Sequence, residues 1–333
     1  MPIKFTGKPI GHVKPMHTLD EPVPTPDAPG EDHEPHFKIT DFPQNWMKYH
    51  IHKNTAGTRP PRHHNIIHIS DLDPKREWCP REPALLTLTG TKRPKDFLPT
   101  AQRLVFDFGH KGADILIDRL PREKVMGCWK CRACDHVVNF SLRPMACPNC
   151  KANGAAFRYK EVFVRDPETG VVGSMDVLVD LLGNGWFTMG EIKTEGNEAF
   201  GKRKAPEFDH EWRTRGYLWL TAVDPKMKGM PINTNDGRVI YLSKEGYKDD
   251  AQIKEWKLPD WGKSPMKEYR VTRDDSMLQN QLDLARTYRK WRNKYDDPAQ
   301  EDVPKLPERI CSDMNCTRAK RCPVRKACWK GIT

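Results

Sequence analysis

The chain has no long apolar run. Nothing in its 333 residues approaches the ~20 consecutive apolar residues that a bilayer-crossing helix needs. The opening stretch, MPIKFTGKPIGHVKPMH, lacks the apolar centre of a secretory signal, so a cytoplasmic protein with no membrane partner is expected. Apolar residues are scarce throughout: 37% of the chain is hydrophobic and the mean hydropathy is −0.77. Either a sizeable part is disordered, or the fold is small and heavily solvated. No stretch repeats another, which removes solenoid and propeller architectures. Acidic residues are outnumbered, 45 against 56 basic ones, leaving a formal charge of +11. That surplus suits a polyanionic partner, nucleic acid or an anionic membrane, although a merely soluble basic protein has the same balance.

Cysteine is nearly absent from the first third and dense afterwards. Cys79 stands alone. Cys128, Cys131, Cys134, Cys147 and Cys150 form one group, and Cys311, Cys316, Cys322 and Cys328 another. Cytosolic thiols stay reduced, so clustered cysteines read as metal ligands rather than disulfides. Cys131-x-x-Cys134 followed by Cys147-x-x-Cys150 has the spacing of two knuckles around a short hairpin, a tetrahedral thiolate zinc ribbon, with Cys128 as the alternate ligand. Lys130, Arg132, Arg143 and Lys151 tilt this ribbon toward phosphate; a purely structural role is the competing reading.

Residues 1–65 are rich in proline, histidine and charge without periodicity, and read as a disordered or extended arm. A short strand is expected at His68–Ser70. A helix starting at Asp73-Pro74 should carry Cys79. A second helix spans Thr100–Leu120, with Leu104, Val105, Phe108, Ile115 and Leu116 as its apolar side and His110 on it. Strands follow at Phe157–Arg165, Val171–Leu182 and Trp186–Thr194, joined by turns at Asp166–Gly170 and Gly183–Gly185 into an antiparallel meander. Residues 207–223 form an amphipathic helix, Arg238–Lys244 a strand and Met277–Asn293 a helix.

In a strand, alternate residues share a face. Asp176 points away from Met175 and Val177, while Glu191 and Lys193 share a face across Ile192. Pairing the two strands through the Gly183–Gly185 turn brings Asp176 beside Glu191 and Lys193. Two carboxylates make a hard oxygen site suited to Mg²⁺ or Mn²⁺, and the lysine can orient a water. The basic run Lys202-Arg203-Lys204 just beyond reads as a track for a phosphate backbone or as a charged loop.

Gly173-Ser174-Met175-Asp176 followed by Glu191-Ile192-Lys193, with His110 on the preceding helix and Tyr217 on the following one, resembles the RecB-like branch of the PD-(D/E)XK nucleases. Arg213 occupies the place of that family's glutamine, four residues before Tyr217 on one helical face. Ser70-Asp71-Leu72 and Trp78-Cys79-Pro80-Arg81 resemble the opening segment of the iron–sulfur members, the AddB and CRISPR-adaptation nucleases. Cys322 and Cys328 keep those members' final five-residue gap. The family's preceding Cys-x-x-Cys step is missing.

The resemblance implies a restriction-endonuclease-like α/β fold over 66–333, a mixed sheet flanked by helices, with the zinc ribbon inserted at 125–153. It implies Mg²⁺- or Mn²⁺-dependent hydrolysis of single- or double-stranded DNA, as an exonuclease of recombination, repair or phage DNA metabolism, in a bacterial or phage-infected cytosol. A recombination or replication protein is the expected partner. His110, Asp176, Glu191 and the Ile192 carbonyl would hold the metal and Lys193 would position water. Arg213 and Tyr217 would touch DNA or brace the site. Cys79, Cys316, Cys322 and Cys328, with Cys311 as alternate, would hold a four-iron cluster, zinc being the other metal for such thiolates. A non-catalytic nucleic-acid-binding protein and a zinc-bound RNA-processing factor are the other functional classes.

Overall fold

The computed structural model describes residues 57–59, 63, 65–93, 96–244, 265–300 and 302–330, all within one compact unit, Asn54–Thr333. The arm expected over 1–65 lies almost wholly outside the described residues. In chain order the elements are β1 (Gly57–Arg59), β2 (Ile67–His68), α1 (Arg81–Thr89), β3 (Asp96–Leu98), α2 (Thr100–Arg119), β4 (Val125–Cys131) and β5 (Val137–Leu142). Then come β6 (Phe157–Lys160), β7 (Val162–Arg165), β8 (Val171–Met175), β9 (Val177–Val179), β10 (Phe187–Glu195), α3 (Asn197–Lys202) and α4 (Phe208–Val223). The chain continues with β11 (Ile232–Ser243), β12 (Met266–Thr272), α5 (Gln279–Tyr295), α6 (Thr317–Arg321) and α7 (Arg325–Lys330).

The main sheet is mixed. Its strand order is β12-β11-β10-β9-β4-β5, with β6 also paired to β4, and β10 and β11 run parallel. That parallel pair needs a crossover, which α3 and α4 supply. A smaller sheet, β2-β8-β7, lies beside it.

The expected meander is divided between the two sheets. The strand expected over Phe157–Arg165 breaks at Glu161, sending β6 to β4 and β7 to β8. The strand expected from Val171 breaks at Asp176, sending β8 to the small sheet and β9 to β10. The first break is written in the sequence: Phe157 and Tyr159 are buried, then Val162 and Val164, so the alternation slips one residue at Glu161. Both breaks put a carboxylate at a sheet corner.

The cysteine ribbon shares its first strand with the main sheet. Val125 and Met126 of β4 pair with Val179 and Leu178 of β9, while Cys128 to Cys131 pair with β6. Trp129, Cys131, Cys147 and Phe157 are buried in one cluster with Val177, Val179 and Ile192. A boundary at 125 therefore falls inside the sheet rather than between finished core elements.

Helix α2 keeps its expected span but not its expected face. Val105, Phe108 and Ile115 are 50%, 68% and 61% exposed. The packed side is rotated toward Gly109, Ala113, Leu116 and Ile117. The cause is close approach to β10: a Cβ on Gly112 would stand 2.9 Å from the Thr194 methyl. The missing side chains draw this face inward, which a periodicity count weighted on large apolar residues does not register.

Cys79 precedes α1 rather than lying on a helix; only a single turn, Pro74–Arg76, begins at Asp73. The Asp73 carboxylate caps that turn at the Lys75 N–H, 3.0 Å away.

Candidate active site

Strand β10 carries Glu191 and Lys193 past the break at Asp176. Asp176 Oδ2 accepts from the Ile192 N–H at 2.7 Å. This bond locks the broken strand against β10 where the ladder, regular from Gly190 to Thr188, has ended. Lys193 Nζ stands 2.6 Å from Glu191 Oε1 and 3.9 Å from Asp176 Oδ2. It also donates to the Ile192 carbonyl at 3.3 Å. The expected juxtaposition of Asp176, Glu191 and Lys193 is therefore formed.

Glu191 is only 1% exposed, yet its Oε2 has no hydrogen-bond partner. A buried carboxylate oxygen left unpaired is costly. Its other oxygen takes both Lys193 and Arg213, the latter at 3.0 Å. Although burial opposes its charge, Lys193 and Arg213 hold the Glu191 carboxyl below its usual range. Asp176 goes the other way, pushed up to about 8 by burial and then by the Glu191 charge. Two carboxylates with opposite shifts mark a site in which one negative charge is settled and the second waits for a cation. The orphan oxygen and the oxygen-rich donor set fit a hard divalent ion.

Arg213 thus braces Glu191 from α4 rather than reaching outward. Tyr217, one turn further, is 7% exposed. Its ring lies on β8 so closely that a Cβ on Gly173 would meet it at 2.6 Å. The glycine of the Gly-x-x-Asp segment is what admits the ring. Burial first, then Glu191 and Asp176, raise the Tyr217 hydroxyl well above its ordinary value. Tyr217 is a neutral support under the carboxylates.

A cleft of about 1000 Å³ opens over this centre, and His110, Glu161, Ser174, Asp176 and Lys193 line it. His110 stands in the wall, exposed, on α2. Among the described residues, the ligand atoms of His110, Asp176 and Glu191 are not gathered within 4.8 Å of one another. Glu161 is a site carboxylate that motif reading missed. Partial enclosure pushes its carboxyl up, against the pull of His110. The slipped alternation at that residue was its signal. Lys130, Arg158, Lys160 and Lys244 add positive charge to the same cleft.

The run 202–204 is not a uniform track. Lys202 pairs with Glu198 at 2.6 Å on the surface. Arg203 is held between Glu195 and Glu207, its guanidinium 4.4 Å from the Tyr241 ring centre. It ties β10 to the start of α4. Lys204 is exposed.

The ribbon cysteines converge. Cys131 Sγ lies 3.7 Å from Cys150 Sγ, and Cys134 Sγ 3.6 Å from Cys147 Sγ. A tetrahedron of ~2.3 Å Zn–S bonds puts its sulfurs ~3.8 Å apart, so the four fit one such ion. The Asn149 side chain, then the His136 backbone, lower the Cys134 thiol to about 6, favouring the thiolate. Cys128 lies mid-strand opposite Lys160, outside this group.

At the other end, Cys79, Cys311, Cys322 and Cys328 line one small cavity. Cys311, the alternate ligand, reaches this lining, and Cys316 stands beside it, in side-chain contact with Cys311. The Cys316 sulfur accepts from the Ala319 N–H at 3.3 Å and caps α6. No three of the cavity's sulfurs lie within 4.8 Å of one another. Leu85 and Leu86 of α1 pack on Val324, and Arg318 bridges to Glu82 at 2.9 Å. The region 318–324 is thereby fastened to α1.

No family model matches the chain, and no curated protein sequence does either. Among solved structures it is similar to the alkaline exonuclease LHK-Exo from Laribacter hongkongensis. The TM-score is 0.35 and the identity 14%, over 68% of this chain and 88% of that one. The same enzyme in complex with dAMP gives a TM-score of 0.34 and 14% identity, over 68% and 87%.

Proposed function

We propose that the chain is a divalent-metal-dependent DNA nuclease of the RecB-like PD-(D/E)XK kind. The observation that carries this is Glu191 Oε2, a buried and unpartnered carboxylate oxygen beside Asp176 and Lys193 under a basic cleft. Asp176, Glu191, the Ile192 carbonyl and His110 would hold Mg²⁺ or Mn²⁺. When bound, that ion supplies a Lewis acid for the phosphate oxygens and lowers the pKa of an attacking water.

The chain's own residues account for the rest. Lys193, tethered to Glu191 and the Ile192 carbonyl, presents an ammonium that orients the water toward phosphorus. Arg213 keeps Glu191 ionised and fixed. Lys160 and its basic neighbours draw the polyanion in. Incubating the protein with end-labelled single- and double-stranded DNA and Mn²⁺ should yield cleavage that Asp176→Ala abolishes. No cleavage of either substrate with Mn²⁺ or Mg²⁺, or full turnover by Asp176→Ala, would overturn the reading.

Two further metals belong to it. The ribbon holds zinc, supported by its sulfur spacing. The second group holds a four-iron cluster on Cys79, Cys311, Cys322 and Cys328. Thiolates on separate irons stand further apart than thiolates on one zinc, which agrees with sulfurs that surround a cavity without converging. The cluster's work is structural: it staples the segment before α1 to the C-terminal helices.

A further inference from the structure

We propose that the cleft takes an unpaired strand, with nucleobases stacking on Phe106 and Phe163 beside the carboxylates. This rests on the nuclease reading and names its substrate class.

Phe163 is placed outward by its strand. Val162 and Val164 of β7 are fully buried, so Phe163 between them must face away, and it is 48% exposed. Its ladder partner is Ser174, two residues before Asp176. Phe106 lies on α2 one turn before His110 and is 45% exposed. Both rings line the cleft that holds Asp176 and Lys193.

Exposed apolar residues scattered singly need no explanation. These two differ because they share a concave site on different walls. The same lining carries Lys130, Arg158, Lys160, Lys193 and Lys244 against Asp114, Glu161 and Asp176. Lys130 is paired with Asp135 and Arg158 with Asp114. Lys160 and Lys244 are therefore the cations at its edge with no ion pair to a carboxylate among the described residues. A ligand that meets this lining must offer repeated negative charge together with flat apolar faces. A nucleic acid strand offers both, since every base has a stackable face whatever its identity. In a duplex those faces are covered by neighbouring bases and only edges and backbone remain, so the rings have partners only where the strand is unpaired. An apolar peptide would match the rings and leave the cations unanswered.

The test is fluorescence anisotropy of the full-length protein with a labelled single-stranded oligonucleotide and with its blunt duplex. Ca²⁺ replaces Mg²⁺ to hold turnover. Phe163→Ala and Phe106→Ala should each weaken single-strand binding by roughly 10-fold while leaving the weaker duplex binding unchanged. Phe163→Trp should bind the single strand at least as tightly as the wild type. Lys160→Ala should weaken both substrates and flatten the salt dependence. Unchanged single-strand affinity in both alanine variants, with Lys160→Ala still weakened, would overturn the stacking and leave the nuclease reading standing. Equal losses on blunt duplex would also overturn it. No binding of either DNA by the wild type would overturn both.

Discussion

The ribbon and the carboxylate cleft both gather metal-binding side chains, and they are built oppositely. The ribbon's four sulfurs close on one another, leaving no open position, and Cys131 and Cys147 sit in the cluster that supports the centre of the main sheet, with Cys134 packed against it. The cleft's carboxylates stop short of closure: Glu191 keeps one oxygen unpartnered and Asp176 stands at a break in its strand. Structural metal sites are saturated by protein ligands, whereas catalytic ones keep room for water and substrate. Damage to the ribbon should therefore cost the fold, and damage to the cleft should cost turnover.

The sharpest contrast comes from substituting one ligand in each. Asp176→Ala should lower DNA cleavage by about 10³-fold or more while the melting temperature stays close to wild type. Cys147→Ser should do the reverse first: zinc falls below one per chain and stability drops by on the order of 5 kcal/mol, because β4 pairs with β9, β6 and β5 alike. Metal analysis beside thermal melts reads both. A Cys147→Ser protein that melts like the wild type would make the ribbon a detachable module.

Arg213→Ala blurs the two categories. It removes one of two cations from a buried carboxylate, so it should cost about 3 kcal/mol of stability, measured by urea unfolding, as well as activity. A variant that loses activity alone would place Arg213 on the DNA rather than under Glu191.

The C-terminal cysteines extend the comparison. Cys311→Ser and Cys322→Ser should each lose the visible absorbance of anaerobically purified protein, while Cys316→Ser, which removes a helix cap beside Cys311, should retain it. Loss in Cys316→Ser with retention in Cys311→Ser would reverse the assignment.

The smallest effect belongs to the turn that leads into β10. Asp180 accepts from Asn184 N at 3.1 Å, Gly185 N at 3.2 Å and Lys124 Nζ at 3.3 Å. Burial works against its charge, but the Gly185 N–H and Lys124 outweigh it and lower the carboxyl. A lowered folded pKa contributes stability above the unfolded value, about 3.9, and loses it as pH falls through the folded one. The melting difference between wild type and Asp180→Asn should thus be present at neutral pH and vanish on acidification. A difference that persists in acid would mean that shape rather than charge holds the turn.

Much of the site was legible because its spacing is local. The ribbon's knuckles lie within 20 residues, and Glu191 and Lys193 are fixed by strand alternation. What escaped depends on approach between distant elements. The buried side of α2 follows Gly112 against Thr194, and Arg203 is claimed by Glu195 and Glu207. Cys311 reaches the same cavity as Cys79, which lies more than 200 residues upstream, and no local spacing reports that approach. Glu161 was written in the sequence as a slipped alternation, but no motif pointed to it.

Mn²⁺ titration of the zinc-loaded protein, followed by calorimetry, tests the open carboxylate site most directly. The wild type should bind Mn²⁺ at a site that Asp176→Ala and Glu191→Gln both lose, with zinc content unchanged in all three. Undiminished Mn²⁺ binding in both variants would contradict the account.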